Sequence, residues 1–581
     1  MNKSILKRII YYLKPYKLFS ILALVTALIG VSLTIYVPVL IGNAVDLIVG
    51  KGNADFKGLV PVLITLGVFA LVGSLFQWLM SLCTNKLVYN AINDIRQEAF
   101  NKIQSVPLKY IDSKSQGDLI SRIVTDTEII SDGLLQTFNQ VFTGIITILG
   151  TLVFMLTINV SIALIVVVLT PISLFVASFI AKRSFRMFKI QSETRGEMTG
   201  YVEEILSNQN IVKAFSQGEI TQEKFEEINS RLYTCGVKSQ FYSSITNPST
   251  RFVNGLVYTS VGIIGALSVL SGKLSVGALS SFLAYANQYT KPFNEISGVV
   301  TELQNAFASA TRIFEIIDEP SEVTNSDDKV ITECDGSINI SDVYFSYTPE
   351  RKLIEDFNLN VKPGQRIAIV GPTGCGKTTL INLLMRFYDV NSGKIIVCGN
   401  NINNLTRDSL RAQYGMVLQE TWLKNGTIKE NIAFGKPDAT DEEIIYAARQ
   451  AYADGFIRRL PNGYNTIISD DGESISQGQK QLLCIARIML ILPPMLILDE
   501  ATSSIDTRTE IKIQKAFAKM MEGRTSFIVA HRLSTIKEAD VILVMNQGKI
   551  IEQGSHNELL RAKGFYSNLY NSQFANEKDN A

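Results

Sequence analysis

Apolar stretches long enough to cross a lipid bilayer recur through the first 300 residues of this 581-residue chain. A hydrocarbon core about 30 Å thick requires about 20 mainly apolar residues in helical form. The stretches therefore predict membrane-spanning helices. The clear ones cover residues 18–45, 59–82, 135–156, 162–180 and 252–270, and a weaker sixth at 276–300 is interrupted by polar and charged residues.

The connections between these stretches alternate in length and in charge. Residues 50–58, 157–161 and 271–275 form short loops, whereas 83–134 and 181–251 are long and polar. Basic residues concentrate at the start of the chain and in the long connections: Lys3, Lys7, Arg8, Lys14, Lys17, Lys86, Arg96, Lys102, Lys182, Arg183, Arg186 and Lys189. Because basic residues favour the cytoplasmic side, we predict six spans in the cytoplasmic (plasma) membrane, with the N- and C-termini and the long connections in the cytoplasm. No small-residue cleavage site follows the first apolar run, so it is interpreted as a retained span and not as a signal peptide.

Polar residues lie at helical spacing within the sixth stretch and around the start of the fifth. Asn287, Lys291 and Asn294 share one face, as do Asn247, Arg251 and Asn254. One interpretation is a water-filled cavity that handles a substrate, because polar groups are costly in lipid. Lys291 is its better candidate, because it is deeper from the predicted outer end. The other is hydrogen bonding between helices, or helices that have already left the bilayer. The sequence leaves both open.

The overall composition limits the class of protein. Charged residues make up 19% of the chain, below the roughly 25% of ordinary soluble domains. A formal net charge of +1 excludes the strong basic excess that a nucleic-acid partner requires. The six cysteines are scattered without a CxxC pair, so neither a disulfide framework nor a zinc site is expected.

The composition changes after Glu319-Pro320, where a polar linker leads into short β-rich runs that alternate with helical patterns. This alternation is typical of an α/β domain with a parallel sheet. The predicted fold class is an all-α domain of six transmembrane helices followed by an α/β P-loop domain. The predicted boundaries are 1–318 for the membrane domain, 319–336 for the linker and 337–581 for the second domain.

The segment Gly371-Pro-Thr-Gly-Cys-Gly-Lys377-Thr378-Thr379 lies between an apolar run at 366–370 and another at 380–385. A buried strand therefore leads through a glycine-rich turn into a helix, which is the context of a P-loop. Its backbone N–H groups and the helix N-terminus bind phosphate oxygens. Lys377 reaches the β- and γ-phosphates, and the Thr378 hydroxyl coordinates Mg²⁺. The segment predicts a nucleoside triphosphate site.

A second apolar run, 495–498, ends in Asp499-Glu500. A buried strand that delivers two carboxylates at its C-terminal end suits a phosphate site. Asp499 would hold Mg²⁺, and Glu500 would polarise the attacking water. Together with the P-loop, the pattern indicates hydrolysis and not only binding.

Several further segments resemble those of ATP-binding cassette (ABC) proteins. Residues 474–481, Ser-Ile-Ser-Gln-Gly-Gln-Lys-Gln, resemble the LSGGQ signature. By the same resemblance, Tyr347 stacks on adenine, Gln419 belongs to the Q-loop, Asp506 lies in the D-loop 503–506, and His531 is the switch histidine. Segments 117–122 and 210–215 resemble the cytoplasmic coupling segments of ABC exporters. The order of six spans followed by one nucleotide-binding domain is similar to an exporter half-transporter of the multidrug or lipid-flippase type.

The resemblance and the P-loop together define the predicted sites, with ATP and Mg²⁺ as the ligands. The predicted catalytic residues are Glu500, His531 and Gln419, and the predicted metal ligands are Thr378, Gln419 and Asp499. The predicted ATP-binding residues are Tyr347, Gly371, Thr373, Gly374, Cys375, Gly376, Lys377, Thr378, Thr379, Ser476, Gly478, Gln479 and Asp506.

The resemblance also implies a second half-transporter, because in this family ATP lies between the P-loop of one chain and the signature of the other. Two departures from the family pattern favour a heterodimer with a paralogous chain. Gln477 replaces the first glycine of the signature, and residues 470–473 match only loosely the loop that precedes it.

The function that these features predict is ATP-driven export of an amphipathic small molecule, drug or lipid by a membrane-embedded dimer. Alternatives are an ATP-gated channel or sensor without transport turnover, a peptide exporter, and a soluble-type ABC ATPase with an unrelated membrane anchor. Glu500 and His531 count against the channel, and coupling-like segments between six spans count against the anchored ATPase. No residue decides between a lipid, a drug and a peptide.

Overall fold

The computed structural model describes residues 3–48, 55–322, 329–350, 352–418, 421–468, 475–499, 505–529 and 536–574. The chain divides into two compact units. The first, the helical unit, comprises Met1–Ser105 and Lys114–Glu319; the second, the mixed unit, comprises Val106–Ser113 and Pro320–Ala581.

Helices account for nearly all of the described chain up to Asp318. They are α1 (Lys3–Leu13), α2 (Lys17–Asp46), α3 (Phe56–Ile103), α4 (Leu108–Asp112), α5 (Gln116–Ile123), α6 (Thr125–Ile158), α7 (Val160–Ser207), α8 (Gln209–Ala214), α9 (Gly218–Leu270) and α10 (Val276–Asp318). A 3-10 turn, Lys14–Tyr16, joins α1 to α2. All of these helices belong to the helical unit except α4, which belongs to the mixed unit.

All six apolar stretches that the sequence singled out are helical, which confirms their predicted secondary structure. Within the described ranges, four continuous helical segments can cross a membrane by length and composition: Ser4–Asp46, Phe56–Ile103, Gln116–Ile158 and Gly218–Leu270. The predicted fourth span begins in a shorter apolar helical segment, Val160–Ile172, and the predicted sixth lies in α10. The chain is thus an integral membrane protein, while the number of crossings stays a prediction.

Within the helical unit the long helices pack in pairs: α2 on α3, α6 on α10, and α7 on α9. One buried cluster joins α1, α3, α6 and α10 through residues such as Ile95, Ile130 and Ile313. A second cluster, with Met155 and Tyr285 among its members, lies within the predicted spans.

A buried charge cluster links α6 to α10. Asp126 is 1% exposed. It accepts hydrogen bonds from Ser309 Oγ at 3.0 Å and from Arg312 Nε at 2.8 Å. Because an unpaired buried carboxylate is strongly destabilising, these bonds fix how α6 sits against α10.

Near the loop that follows α2 and the loop that precedes α10, these two helices approach to backbone contact. A Cβ atom on Gly277 would lie 2.0 Å from the carbonyl oxygen of Gly42. Gly277 N–H donates to Asp46 at 2.7 Å, and Ser281 Oγ donates to the Pro38 carbonyl at 2.7 Å. We call this contact the α2–α10 seam. The two helices approach this closely because Gly42 and Gly277 have no side chains, and the two hydrogen bonds hold the contact together.

The mixed unit contains short strands: β1 (Ile338–Phe345), β2 (Ile354–Val361), β3 (Arg366–Val370), β4 (Ser392–Val397), β5 (Asn400–Asn401), β6 (Tyr414–Val417), β7 (Gly426–Thr427), β8 (Ile467–Ile468), β9 (Met495–Asp499), β10 (Thr525–Val529), β11 (Val541–Asn546) and β12 (Lys549–Gly554). Its helices after α4 are α11 (Lys377–Leu384), α12 (Arg407–Arg411), α13 (Ile428–Ile432), α14 (Asp441–Gln450), α15 (Asp454–Ile457), α16 (Gln477–Ile491), α17 (Thr507–Met521), α18 (His556–Ala562) and α19 (Phe565–Phe574).

A six-stranded sheet of order β12-β11-β3-β10-β9-β6 forms the centre of the mixed unit, and all of its neighbours run parallel except the edge strand β12. Continuous burial of β3, β9 and β10 reflects layers on both faces of the sheet. A separate antiparallel sheet has the order β2-β1-β4-β5. The α/β fold class is confirmed.

One expectation about the cysteines is wrong. Cys334 and Cys398 form a disulfide with a Cα–Cα distance of 5.1 Å. The sequence separation of 64 residues gave no sign of it, because the pairing arises when β1 and β4 become neighbours.

Candidate nucleotide-binding site

The glycine-rich turn between β3 and α11 has the backbone geometry of a phosphate-binding loop. Gly376, the residue before the helix, has φ +106°, a left-handed conformation that L side chains rarely adopt. At the start of the turn, a Cβ on Gly371 would lie 2.2 Å from the carbonyl oxygen of Met545. Both positions therefore require glycine, one for conformation and one for space.

Helix α11 begins at Lys377 without a side-chain cap, so its first N–H groups remain available to an anion. The Lys377 ammonium donates to the carbonyl oxygens of Gly371 at 2.8 Å and Pro372 at 3.2 Å. The turn thus holds its own lysine beside the helix N-terminus. Positive charge from the ammonium and from the helix dipole is concentrated at one place.

A cavity of about 700 Å³ opens over this turn. Its lining joins the aromatic residue of the loop after β1, the turn itself, and the ends of β9 and β10. The lining residues are Tyr347, Thr348, Leu353, Thr373, Gly374, Gly376, Lys377, Thr378, Thr379, Asp499 and Val529. The structure therefore brings together eight of the predicted ATP-site and metal residues.

Tyr347 forms an aromatic platform at one side of the cavity. Its ring packs edge-on against Phe345 and Tyr388, with centroid distances of 4.9 and 4.8 Å. Its hydroxyl donates to Thr379 Oγ1 at 3.3 Å and accepts from Asn382 Nδ2 at 3.2 Å. The side chain is still 38% exposed, so a planar ligand can stack on the free face.

Tyr388 and α4 are parts of this surface that the sequence analysis missed. The Tyr388 hydroxyl donates to Asp112 at the end of α4, and burial together with this acceptor raises the pKa of Tyr388. The segment of the first long connection that belongs to the mixed unit is therefore Val106–Ser113. The predicted coupling segment 117–122 lies in α5 of the helical unit, and its role stays a prediction.

The predicted catalytic residues follow the ends of adjacent strands. β10 lies between β3 and β9, with Val529 opposite both Ile369 and Asp499. The strand leading to His531 thus ends between the P-loop strand and the strand leading to Glu500. Glu500 and His531, like Gln419 after β6, lie outside the described residues.

Two oxygen donors in the cavity suit a hard divalent cation. Thr378 contributes a hydroxyl and Asp499 a carboxylate, and both line the same space. Mg²⁺ is held in proteins by one or two such oxygens together with water and substrate phosphates, not by a dedicated protein cage. The described residues accordingly contain no group of three or more His, Cys, Asp or Glu side chains placed to hold a metal.

The signature segment begins α16 with a reciprocal cap. Ser476 Oγ accepts from Gln479 N at 3.3 Å, and Gln479 Oε1 accepts from Ser476 N at 3.0 Å. Gly478 is buried, and a Cβ there would lie 2.6 Å from Thr509 Cγ2. Gln477 is exposed and donates to Thr421 Oγ1 at 3.1 Å. The segment thus requires glycine at 478 but not at 477.

The signature segment does not contribute to the cavity within one chain. None of the described residues that line the cavity comes from α16. Asp506 caps α17 by accepting from Thr509 N at 2.9 Å, and this bond lowers the pKa of its carboxyl group. Ser476, Gly478, Gln479 and Asp506 therefore lie in a region separate from the P-loop cavity of the same chain.

Comparison with known proteins identifies the family. Residues 20–293 match the ABC transporter transmembrane region, and residues 354–503 match the ABC transporter domain. A fatty acid ABC transporter ATP-binding/permease protein of Mycobacterium tuberculosis is 38% identical, over 96% of this chain and 95% of its own length. The chain is an ABC exporter half-transporter.

Two further comparisons agree with this membership. The ATP-dependent lipid A-core flippase of Desulfotalea psychrophila is 35% identical, over 98% of this chain and all of its own length. The structure of a bacterial Atm1-family ABC exporter with ATP bound superposes with a TM-score of 0.80 at 28% identity, covering 96% of this chain and 98% of that one. The half-transporter therefore carries an ABC ATP site, and exporters of this kind work as dimers.

Proposed function

We propose that this half-transporter and a second one hydrolyse ATP to export an amphipathic molecule across the cytoplasmic membrane. The observation that carries the proposal is the cavity that joins Tyr347, the P-loop and Asp499 in a chain whose other unit consists of long apolar helices. The fatty acid transporter and the lipid A-core flippase, each matched along nearly the whole chain, support a substrate with an acyl chain.

In this proposal, adenine stacks on the free face of Tyr347, and the phosphates lie on the turn before α11. Lys377 releases the carbonyls of Gly371 and Pro372 and turns to the β- and γ-phosphates. Charge-assisted bonds to phosphate are stronger than bonds to neutral carbonyls, so the exchange favours the bound state. Thr378 and Asp499 hold Mg²⁺, which neutralises charge on the phosphate oxygens when bound.

Glu500 orients the attacking water and accepts its proton, while His531 contacts the γ-phosphate and Gln419 completes the metal site. These roles rest on the position of Glu500 and His531 after β9 and β10, and on the resemblance of Gln419 to the Q-loop. A carboxylate within hydrogen-bond reach of the water is the requirement for general base catalysis.

A second chain completes each ATP site. Because α16 lies away from the P-loop cavity of its own chain, Ser476 can meet a γ-phosphate only across a dimer interface. ATP then acts as a ligand that favours the closed dimer, and hydrolysis removes it. The helices respond by alternating between inward- and outward-facing arrangements, with six spans per chain and both termini in the cytoplasm.

The test is reconstitution in proteoliposomes of the purified chain, together with a paralogous chain where the purified chain alone hydrolyses no ATP. We expect ATP hydrolysis together with ATP-dependent movement of a fluorescent acyl lipid, and loss of both in Lys377→Ala. Equal movement without ATP, or in the Lys377→Ala variant, would contradict ATP-driven export. Hydrolysis that moves no acyl amphiphile would contradict the proposed class of substrate.

Mixing two inactive variants tests the shared site and the identity of the partner. In a homodimer of Lys377→Ala and Ser476→Arg chains, one site combines an intact P-loop with an intact signature, so some ATPase activity returns. In an obligate heterodimer, which Gln477 favours, the wild-type chain alone is nearly inactive until a paralogous chain is added. Full activity from a monomer would exclude both arrangements.

A further inference from the structure

Two cations lie within the apolar helices of the helical unit at nearly the same depth. Arg251 is on α9 and Lys291 is on α10, and the two helices are joined by the short turn 271–275. Gly265 of α9 faces Leu279 of α10, since a Cβ on Gly265 would lie 2.3 Å from the Leu279 side chain. This contact sets the register of the antiparallel pair.

From that contact, Arg251 is 14 residues along α9 and Lys291 is 12 residues along α10. At about 1.5 Å per residue, the two positions differ in depth by about 3 Å. Each lies between about 20 and 30 Å from the end of its helix nearest the turn, so Lys291 falls within the predicted span 276–300 and Arg251 at the inner edge of the predicted span 252–270.

Neither cation is well neutralised within the chain. Arg251 is exposed and forms no ion pair with any described residue. The Lys291 side chain is 77% exposed, and its one carboxylate partner, Glu295, lies at 3.9 Å and is itself 40% exposed. An exposed cation inside the hydrocarbon core is costly to leave facing lipid, so we expect Lys291 to face an aqueous space or a ligand, with Arg251 at the inner mouth of the same space.

Amide side chains extend the same polar region by one helical turn. Asn254 follows Arg251 on α9, while Asn287 and Gln288 precede Lys291 on α10. Asn287 is exposed. The side-chain oxygens of Asn254 and Gln288 are buried and have no hydrogen-bond partner among the described residues. We call Arg251, Asn254, Asn287, Gln288 and Lys291 the cationic belt.

We propose that the cationic belt binds the anionic headgroup of the transported amphiphile, a carboxylate or a phosphate. Guanidinium and ammonium groups are the side chains that pair with both anions, and the amide of Asn287 supplies a neutral donor beside them. The apolar faces of α9 and α10 on either side of the belt accommodate the acyl chain. The proposal rests on the proposed function, because it takes the belt to face the transport path.

The first test measures binding and is independent of hydrolysis. The full-length protein is placed in nanodiscs of phosphatidylcholine, and retention of radiolabelled hexadecanoate is corrected with protein-free nanodiscs. Unlabelled hexadecanoate, hexadecyl phosphate and hexadecanol then compete for the site. We expect at least one of the two anionic competitors to displace the label at a concentration about tenfold or more below the concentration of hexadecanol that has the same effect. The stronger competitor of the two, hexadecanoate or hexadecyl phosphate, shows whether the site prefers a carboxylate or a phosphate headgroup.

The second test removes the charges. Lys291→Gln and Arg251→Gln should each weaken hexadecanoate binding by about tenfold or more, and Lys291→Arg should restore most of it. Lys273→Gln removes a similarly exposed lysine from the turn between the same helices and should leave binding and basal ATPase activity unchanged. If a glutamine variant does not fold, the headgroup series on the wild-type protein still decides the inference.

Equal competition by hexadecanol and the two anions would overturn the inference. So would unchanged binding in the Lys291→Gln and Arg251→Gln variants, which would leave the two cations to pair with carboxylates of a second chain. Either result is distinct from failure of the proposed function, which would appear as absence of ATP-driven movement in the wild-type protein.

Discussion

The two units of this half-transporter arrange their polar groups by different means. In the mixed unit, one turn of nine residues and the ends of adjacent parallel strands meet at a single cavity. In the helical unit, polar groups pair across large sequence separations, as Asp126 does with Arg312. Backbone geometry specifies the first arrangement locally, whereas the register of long helices specifies the second. A short segment therefore predicts chemistry in one unit and not in the other.

The largest effect is expected from Glu500→Gln, which tests whether the carboxylate that follows β9 is catalytic. Glu500→Gln should leave ATP binding intact and lower turnover by on the order of 10²-fold or more, the scale of a lost general base. Steady-state ATPase assays measure turnover, and nucleotide trapping should show the ATP-bound closed state. Glu522→Gln, at an exposed position beyond α17, is the matched control. Turnover at the wild-type rate in Glu500→Gln would remove this residue from catalysis.

The next effect concerns the aromatic platform. Tyr347→Ala should weaken ATP binding by roughly 1–3 kcal/mol, the scale of base–aromatic stacking. Tyr347→Phe keeps the ring but loses the bonds to Thr379 and Asn382, so we expect a much smaller loss. Titration with a fluorescent ATP analogue gives both values, with the exposed Tyr446→Ala as control. Equal losses in the two Tyr347 variants would assign the role to the hydroxyl and not to the ring.

A third prediction applies to the helical unit. Asp126→Asn should lower the free energy of unfolding by about 1–2 kcal/mol, because the buried side chain at 126 loses its charge-assisted bonds to the half-exposed Arg312. Thermal unfolding in detergent measures the loss, and ATP affinity of the mixed unit should be unchanged. The exposed Asp55, which caps α3, offers a surface substitution, Asp55→Asn, with a smaller effect. An unchanged melting temperature in Asp126→Asn would show that helix register does not depend on this cluster.

The smallest effect tests the departure from the family signature. Gln477→Gly should change ATPase activity by less than about twofold, because the exposed Gln477 side chain loses only its bond to Thr421. Gly478→Ala should be clearly destabilising, because its Cβ would overlap Thr509. A large gain of activity in Gln477→Gly would show instead that the glutamine impairs the site.

Much of the nucleotide site was predictable because its elements are contiguous in sequence. The β3–turn–α11 unit, the strand that ends at Asp499, and the aromatic Tyr347 all lie where the sequence placed them. Tyr388 was missed because its role arises from two contacts that tertiary folding creates, one with Tyr347 and one with Asp112. No sequence spacing predicts that Tyr388 contacts Tyr347 and Asp112.

The helical unit was predictable at the level of helices but not of their contacts. The apolar runs predicted the positions of the long helices, because an apolar stretch of about 20 residues forms few structures other than a membrane-spanning helix. The pairing of α6 with α10 through Asp126, and the disulfide between Cys334 and Cys398 in the other unit, depend on which elements become neighbours.

The α2–α10 seam limits how the helical unit can rearrange. Sliding either helix by one residue would drive a side chain into the Gly42–Gly277 contact and break the bonds to Asp46 and Pro38. At that end the contact between the two helices is fixed, so it can act as a hinge but not as a sliding surface. Any change of angle between them has its greatest amplitude at the opposite ends, which are Lys17 in α2 and Asp318 in α10, the residue that leads to Pro320.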